Sequence, residues 1–229
     1  MSIAVLVDVS SSVVGTLIAR NMCPEFYRRL LGFLRTLPNS NVYLFPHPSI
    51  PGIVIRRINF QSVINSDVFI ENIVESICLP SNDQRSAPRG TPLIRAVHEV
   101  LGSDISTLVI VSDFLSDRSD DPGLITEVLK LLRQRDIWLN VIWMRRSPLP
   151  SESITPAFNL LRSIYEQQLG LAGEQSFTLD SFKELASSLC TRLLIGFLEV
   201  SLDGLSENIL NCFIDNLSDV MKSPRCLSL

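Results

Sequence analysis

The sequence predicts an α/β protein built on a largely parallel sheet with helices on both faces. Three observations lead there. Short apolar runs alternate with amphipathic helical patterns along most of the chain. The first run, Ile3 to Val7, passes straight into Asp8 and reads as a buried strand ending in a carboxylate. A second strand pair is separated only by a short Pro-rich stretch, too brief for a helix, so it must be an antiparallel hairpin.

Taken in order, the strand from Ile3 to Val7 is followed by a loop over residues 13–23 and a helix beginning near Pro24. Proline suits the first helical turn because its missing N–H would have no partner there. Phe26, Leu30, Leu34 and Leu37 form the buried stripe of this helix. Asn41 to Phe45 and Ile53 to Phe60 are the hairpin strands, joined through Pro46 to Gly52. Phe69, Ile73 and Ile77 mark the next helical face. A polar loop, Pro80 to Gly90, then leads to Thr91 as a helix N-cap, with Pro92 at the first helical position and Leu93, Val97 and Leu101 buried.

Thr107 to Val111 is the clearest central strand. Leu124, Val128 and Leu132 predict a helix, Ile137 to Trp143 a strand, and Ala157 to Gln168 a helix stopped by Gly170. A weak strand over Ser176 to Leu179 precedes a long helix capped by Asp180, with Phe182, Leu185, Leu189, Leu193 and Phe197 at helical spacing. Residues 1–200 read as one domain and 201–229 as a C-terminal helical extension, in which Leu205, Ile209, Phe213 and Leu217 share a face. That helix either packs back on the domain or serves as an arm for a partner.

The bulk composition suits a folded core. Of 229 residues, 46% are hydrophobic and 19% charged, so neither disorder nor a metal staple is required for folding. A net charge of −4 offers no footprint for nucleic acid. No apolar run approaches the roughly 18 residues needed to span a bilayer, and no basic segment with a cleavable apolar stretch opens the chain. Five widely spaced cysteines, without a CxxC pair, argue against a disulfide framework and a thiolate zinc site, and predict a reduced, cytoplasmic setting.

The chemistry concentrates at strand ends. Asp8, Ser10 and Ser12 form a DxSxS sequence where the first strand finishes. Asp113 stands at the end of the central strand, and Thr91 closes a polar loop before a helix. In open α/β sheets, ligands bind beyond the carboxyl ends of strands where the strand order reverses. Three loops can therefore bring five oxygen-bearing side chains together. Hydroxyls and carboxylates suit a hard cation such as Mg²⁺, or Mn²⁺ or Ca²⁺ in its place. Where the direct ligands are mostly neutral hydroxyls, the ion stays electropositive and draws an anionic ligand.

VLVDVSSS (Val5 to Ser12), GTPL (Gly90 to Leu93) and TLVIVSDF (Thr107 to Phe114) together resemble the von Willebrand factor A domains that carry a metal-ion-dependent adhesion site. The resemblance covers roughly residues 1–200, with the three motifs in the family's order. It implies six strands with one antiparallel edge strand, and one metal ion. Ser10 and Ser12 would bind it directly, Thr91 directly or through water, and Asp8 and Asp113 mainly through water. Two departures stand out: Phe114 follows the last aspartate where many members have glycine, and Ser11 replaces a common glycine. Neither removes a ligand.

By the same resemblance, the expected function is a non-enzymatic module that binds a partner's Asp or Glu through the metal. Cytoplasmic relatives act as adaptors in larger assemblies, including those of AAA+ ATPases. A metal-independent scaffold is one alternative. A metal-dependent phosphohydrolase is another, weakened because Ser10 stands where such enzymes usually place a second aspartate as general acid. His47 and His98 lie in no catalytic motif, Asp117, Asp120 and Asp121 read as a solvated loop, and Trp138 and Trp143 as core.

Overall fold

The computed structural model describes residues 2–47, 53–60, 66–79, 92–114, 122–135, 137–145, 195–222 and 226–228. In chain order these hold β1 (Ile3–Asp8), α1 (Ser11–Ala19), α2 (Cys23–Thr36), β2 (Ser40–Phe45), β3 (Arg56–Ile58), α3 (Ser66–Cys78) and α4 (Leu93–Leu101). They continue with β4 (Thr107–Ser112), α5 (Pro122–Gln134), β5 (Trp138–Arg145), β6 (Ile195–Ser201), α6 (Glu207–Lys222) and β7 (Cys226–Ser228).

The strands form one sheet in the order β3-β2-β1-β4-β5-β6-β7. Every pairing is parallel except β2 with β3, which is antiparallel and puts β3 at the edge. The sheet has seven strands where six were expected: β1 to β5 fall on expected strands, β6 does not, and the short β7 forms the edge opposite β3. Side chains alternate across the sheet, as the strand period of two requires. Val5 and Val7 face a core shared with α1, α2, α3 and α6, whereas Ala4 and Leu6 face one shared with α4 and α5. Both faces are covered, so the strands read as continuous apolar runs. The architecture is a three-layer α/β sandwich around a mostly parallel sheet.

Several local expectations are revised. Residues 195–201 are strand β6, not the end of a helix running from Asp180; Leu139 pairs with Ile195 and Arg145 with Ser201. A short apolar run does not separate strand from helix by its period, and Leu193 and Phe197 fit helical spacing. The weak strand at 176–179 and the helix at 157–168 lie outside the described residues. Residues 13–23 are not a loop, because α1 occupies most of them. Its SSVVGTLIA sequence mixes glycine with β-branched residues and has weak helix propensity; burial of Val13 and Leu17 holds it. The hairpin strand Ile53 to Phe60 is shorter than expected, pairing only over Arg56–Ile58. Helix α4 begins after Pro92, whose carbonyl accepts from Ala96 N–H at 2.9 Å.

Residues beyond Ser201 are built into the same core. Leu205, Leu210, Phe213 and Leu217 are buried with the α1–α2–α3 side, and Phe213 stacks on Phe26 with ring centroids 5.9 Å apart. Cys23 and Cys78 form a disulfide between α2 and α3 across 55 residues. This corrects the expectation of unpaired cysteines, and the cysteine count no longer supports a reduced compartment. Pairing depends on which helix ends the fold brings together, which sequence spacing does not reveal. Among the described residues, no helix is long and apolar enough to cross a membrane.

Candidate metal centre

Asp8 ends β1, and Ser112 ends β4. The parallel β1–β4 register pairs Val7 with Val111, so the next residues on each strand, Asp8 and Ser112, leave the sheet side by side. Helices covering opposite faces follow β1 and precede β4, making this the point where the strand order reverses. Asp8 is fully buried and Asp113 is 3% exposed.

The first turn of α1 wraps the Asp8 carboxylate. Ser10 is the N-cap residue, extended at φ −64° and ψ 159°, and its backbone N–H donates to Asp8 Oδ1 at 2.8 Å. Its carbonyl accepts from Val14 N–H at 2.9 Å, closing the first turn. The hydroxyls of Ser10 and Ser12 meet at 2.9 Å. The two oxygens of the DxSxS sequence therefore stand next to one another beside a buried carboxylate.

Two further residues, absent from the sequence-based site, complete the frame. Ser112 Oγ donates to Asp8 Oδ2 at 2.6 Å and accepts from Phe114 N–H at 3.0 Å. Tyr27 on α2 donates its hydroxyl to the Asp8 backbone carbonyl at 2.8 Å. Ser112 was visible only as the residue before Asp113, and its role depends on a neighbour 104 positions away. Tyr27 lies beside Phe26 in a helical stripe, where nothing distinguishes a core tyrosine from a supporting one.

Phe114 takes a left-handed backbone with φ 57°. Glycine takes such a backbone without steric cost, whereas a residue with a Cβ is strained there. Here a phenylalanine accepts the strain because its ring is buried in the α4–α5 core.

The electrostatics are those of crowded carboxylates. Burial first, and the neighbouring Asp113 charge second, push the Asp8 pKa up from 3.8 to about 7; hydrogen bonds from Ser112 and Ser10 oppose the rise. Burial, with the Asp8 and Asp113 charges behind it, raises the Tyr27 phenol well above its ordinary value, so its proton stays in place to donate. The donor set fits a hard divalent cation. It consists of oxygen alone, and a cation would relieve the repulsion between the two buried carboxylates. Among the described residues there is no cluster of three His, Cys, Asp or Glu side chains that could hold a metal ion.

The structure thus brings together Asp8, Ser10, Ser12 and Asp113; Thr91 lies outside the described residues. The loop aspartates Asp117, Asp120 and Asp121 also lie outside them. His98 Nε2 sits 3.2 Å from Glu127 Oε1 on α5. Burial and the Arg56 charge lower the pKa of His47, and its backbone N–H donates to Ile53. Trp143 is buried in the core.

No protein-family model matches the chain, and no curated protein matches it in sequence. Solved structures resemble it at low identity. An aerotolerance-related membrane protein from Bacteroides fragilis is 12% identical with a TM-score of 0.48, over 97% of this chain and 99% of that one. BatB, a conserved hypothetical protein from Bacteroides thetaiotaomicron, is 12% identical with a TM-score of 0.46, over 97% and 100% of the two chains. The manganese-loaded TRAP protein of Plasmodium vivax is 13% identical with a TM-score of 0.45, over 96% and 73%. Likenesses at this level assign neither a ligand nor a role to this chain.

Proposed function

We propose that this chain is a non-enzymatic interaction module that binds an acidic residue of a protein partner through one divalent metal ion. The observation that carries the reading is the adjacent Ser10 and Ser12 hydroxyls, 2.9 Å apart beside buried Asp8 at the sheet's reversal point. Ser10 and Ser12 would contact the ion, Asp8 and Asp113 would hold it mainly through water, and Thr91 would supply a further oxygen. Mg²⁺ is the first choice, with Mn²⁺ or Ca²⁺ as substitutes. Bound there, the ion would act as an electropositive centre for a partner's Asp or Glu.

The residues themselves support binding rather than turnover. Position 10 offers a hydroxyl, not the second carboxylic acid that metal-dependent phosphohydrolases usually place there as general acid. Asp8 is held on both oxygens, by Ser10 N–H and Ser112 Oγ, which restrains it as an orienting group. An adaptor or scaffold role within a larger assembly follows from this reading.

The test is capture of a partner from the native cell by the purified chain, with and without EDTA, and with Asp8→Ala. The expected result is loss of capture in both cases while the far-ultraviolet circular dichroism of the domain persists. Undiminished capture in both would overturn the metal-clamp mechanism and favour a metal-independent scaffold.

A further inference from the structure

At the opposite pole of the sheet from Asp8 lies an open cavity of about 870 Å³. Its walls come from the amino ends of β1, β2 and β4, the end of β3, and the segments that follow α2 and α5. Three arginines, Arg35, Arg57 and Arg135, line it against one acidic side chain, Asp104. On a chain whose net charge is −4, this is a local reversal of sign.

Two of those guanidiniums are held in place by neutral acceptors. Arg135 Nη1 donates to the carbonyls of Leu101 and Ser103 at 2.6 and 2.9 Å, at the carboxyl end of α4. Arg57 Nη2 donates to Asn41 Oδ1 at 2.5 Å. These bonds fix the side chains without cancelling their charges. They also use only part of each five-donor fork, leaving further N–H groups on both side chains for a ligand. Arg35 bonds Asp67 at 2.6 Å, but Asp67 is 83% exposed, so water screens that pair. The neutral side chains of Asn39 and Asn59 add polar groups to the same wall.

We infer that this cavity binds a small multivalent oxyanion, a phosphate ester or a polycarboxylate. Guanidinium forks match both chemistries by paired N–H donation. The volume falls within the range of roughly 300–1,000 Å³ typical of small-molecule sites, which leaves room for an organic body beyond the anionic group. The site is separate from the metal centre and does not depend on it.

Isothermal titration of the full chain in metal-free buffer, with AMP, citrate and inorganic phosphate as probes, tests the inference. AMP binding assigns the phosphate source and citrate binding the carboxylate source; either should weaken about tenfold or more in Arg57→Gln and less in Arg57→Lys. Arg57 is exposed on an edge strand, and an unchanged thermal midpoint in Arg57→Gln certifies its fold. No binding of AMP or citrate at millimolar concentration, or binding indifferent to Arg57→Gln, overturns the inference.

Discussion

The Ser112 hydroxyl donates a 2.6 Å hydrogen bond to Oδ2 of Asp8, tying the carboxyl end of β4 to that of β1. The same oxygen accepts from Phe114 N–H, so one hydroxyl links the loop after Asp113 to the carboxylate of the DxSxS sequence. Oxygens that orient a ligand from behind are valued for the geometry they impose.

Ser112→Ala should therefore weaken metal binding without unfolding the domain. Losing an outer partner of this kind costs roughly 10–100-fold in affinity. Calorimetric titration with Mn²⁺ checks it; unchanged affinity would mean Asp8 is oriented by Ser10 alone.

The Asp8 pKa, raised from 3.8 to about 7, makes the metal-free protein sensitive to pH. Folding raises this pKa, so the folded state binds the proton more tightly than the unfolded chain. The corresponding stability is present below 3.8 and is lost as pH rises through about 7. Thermal melts of the metal-free protein should show a falling midpoint across that window. Added Mg²⁺ should restore the midpoint most at the alkaline end, where Asp8 is ionised. A pH-independent difference between the two melts would contradict the assignment.

Tyr27→Phe removes the donor to the buried Asp8 carbonyl while keeping the ring and its edge-on contact with Phe26. An orphaned buried acceptor costs about 1–3 kcal/mol. Urea denaturation should register that loss, and metal affinity should fall less than in Ser112→Ala because the carboxylate itself keeps its partners.

Phe114→Gly sets two effects against each other. Glycine relieves the left-handed backbone at φ 57°, a gain of about 1 kcal/mol, whereas removing a buried phenylalanine costs about 3–5 kcal/mol. The cavity term is larger, so the variant should be less stable. A more stable variant would show that the ring contributes little to the α4–α5 core.

Reduction of the Cys23–Cys78 disulfide, or Cys78→Ala, should lower stability by about 2–4 kcal/mol, because the bridge closes a long loop in the unfolded chain. Thiol titration of the denatured, unreduced protein should miss both cysteines. Detection of both thiols in native material would place the protein in a reducing compartment.

How far the sequence reached differs by element. Ile3 to Val7 and Thr107 to Val111 were legible because an apolar run ending in a carboxylate states both its burial and its polarity of direction. The amphipathic stripe of α2 was legible from Phe26, Leu30 and Leu34. Helix α1 was not, since its residues form a helix only when Val13 and Leu17 have a sheet to pack on. Strand β6 was not, since Leu193 and Phe197 fit helical spacing and a short apolar run does not separate strand from helix by its period.

For the site, the sequence by itself determined the residue types: Asp8, Ser10, Ser12 and Asp113 announce hard-oxygen chemistry at strand ends, because local spacing suffices for that. Only the tertiary structure decided which groups support them. Parallel register sets Ser112 against Asp8, α2 carries Tyr27 to the carbonyl beneath it, and helix packing brings Cys23 to Cys78. These contacts join residues 19, 55 and 104 positions apart. They form because the sheet order and the packing of its helices bring those residues together, and no local pattern records that.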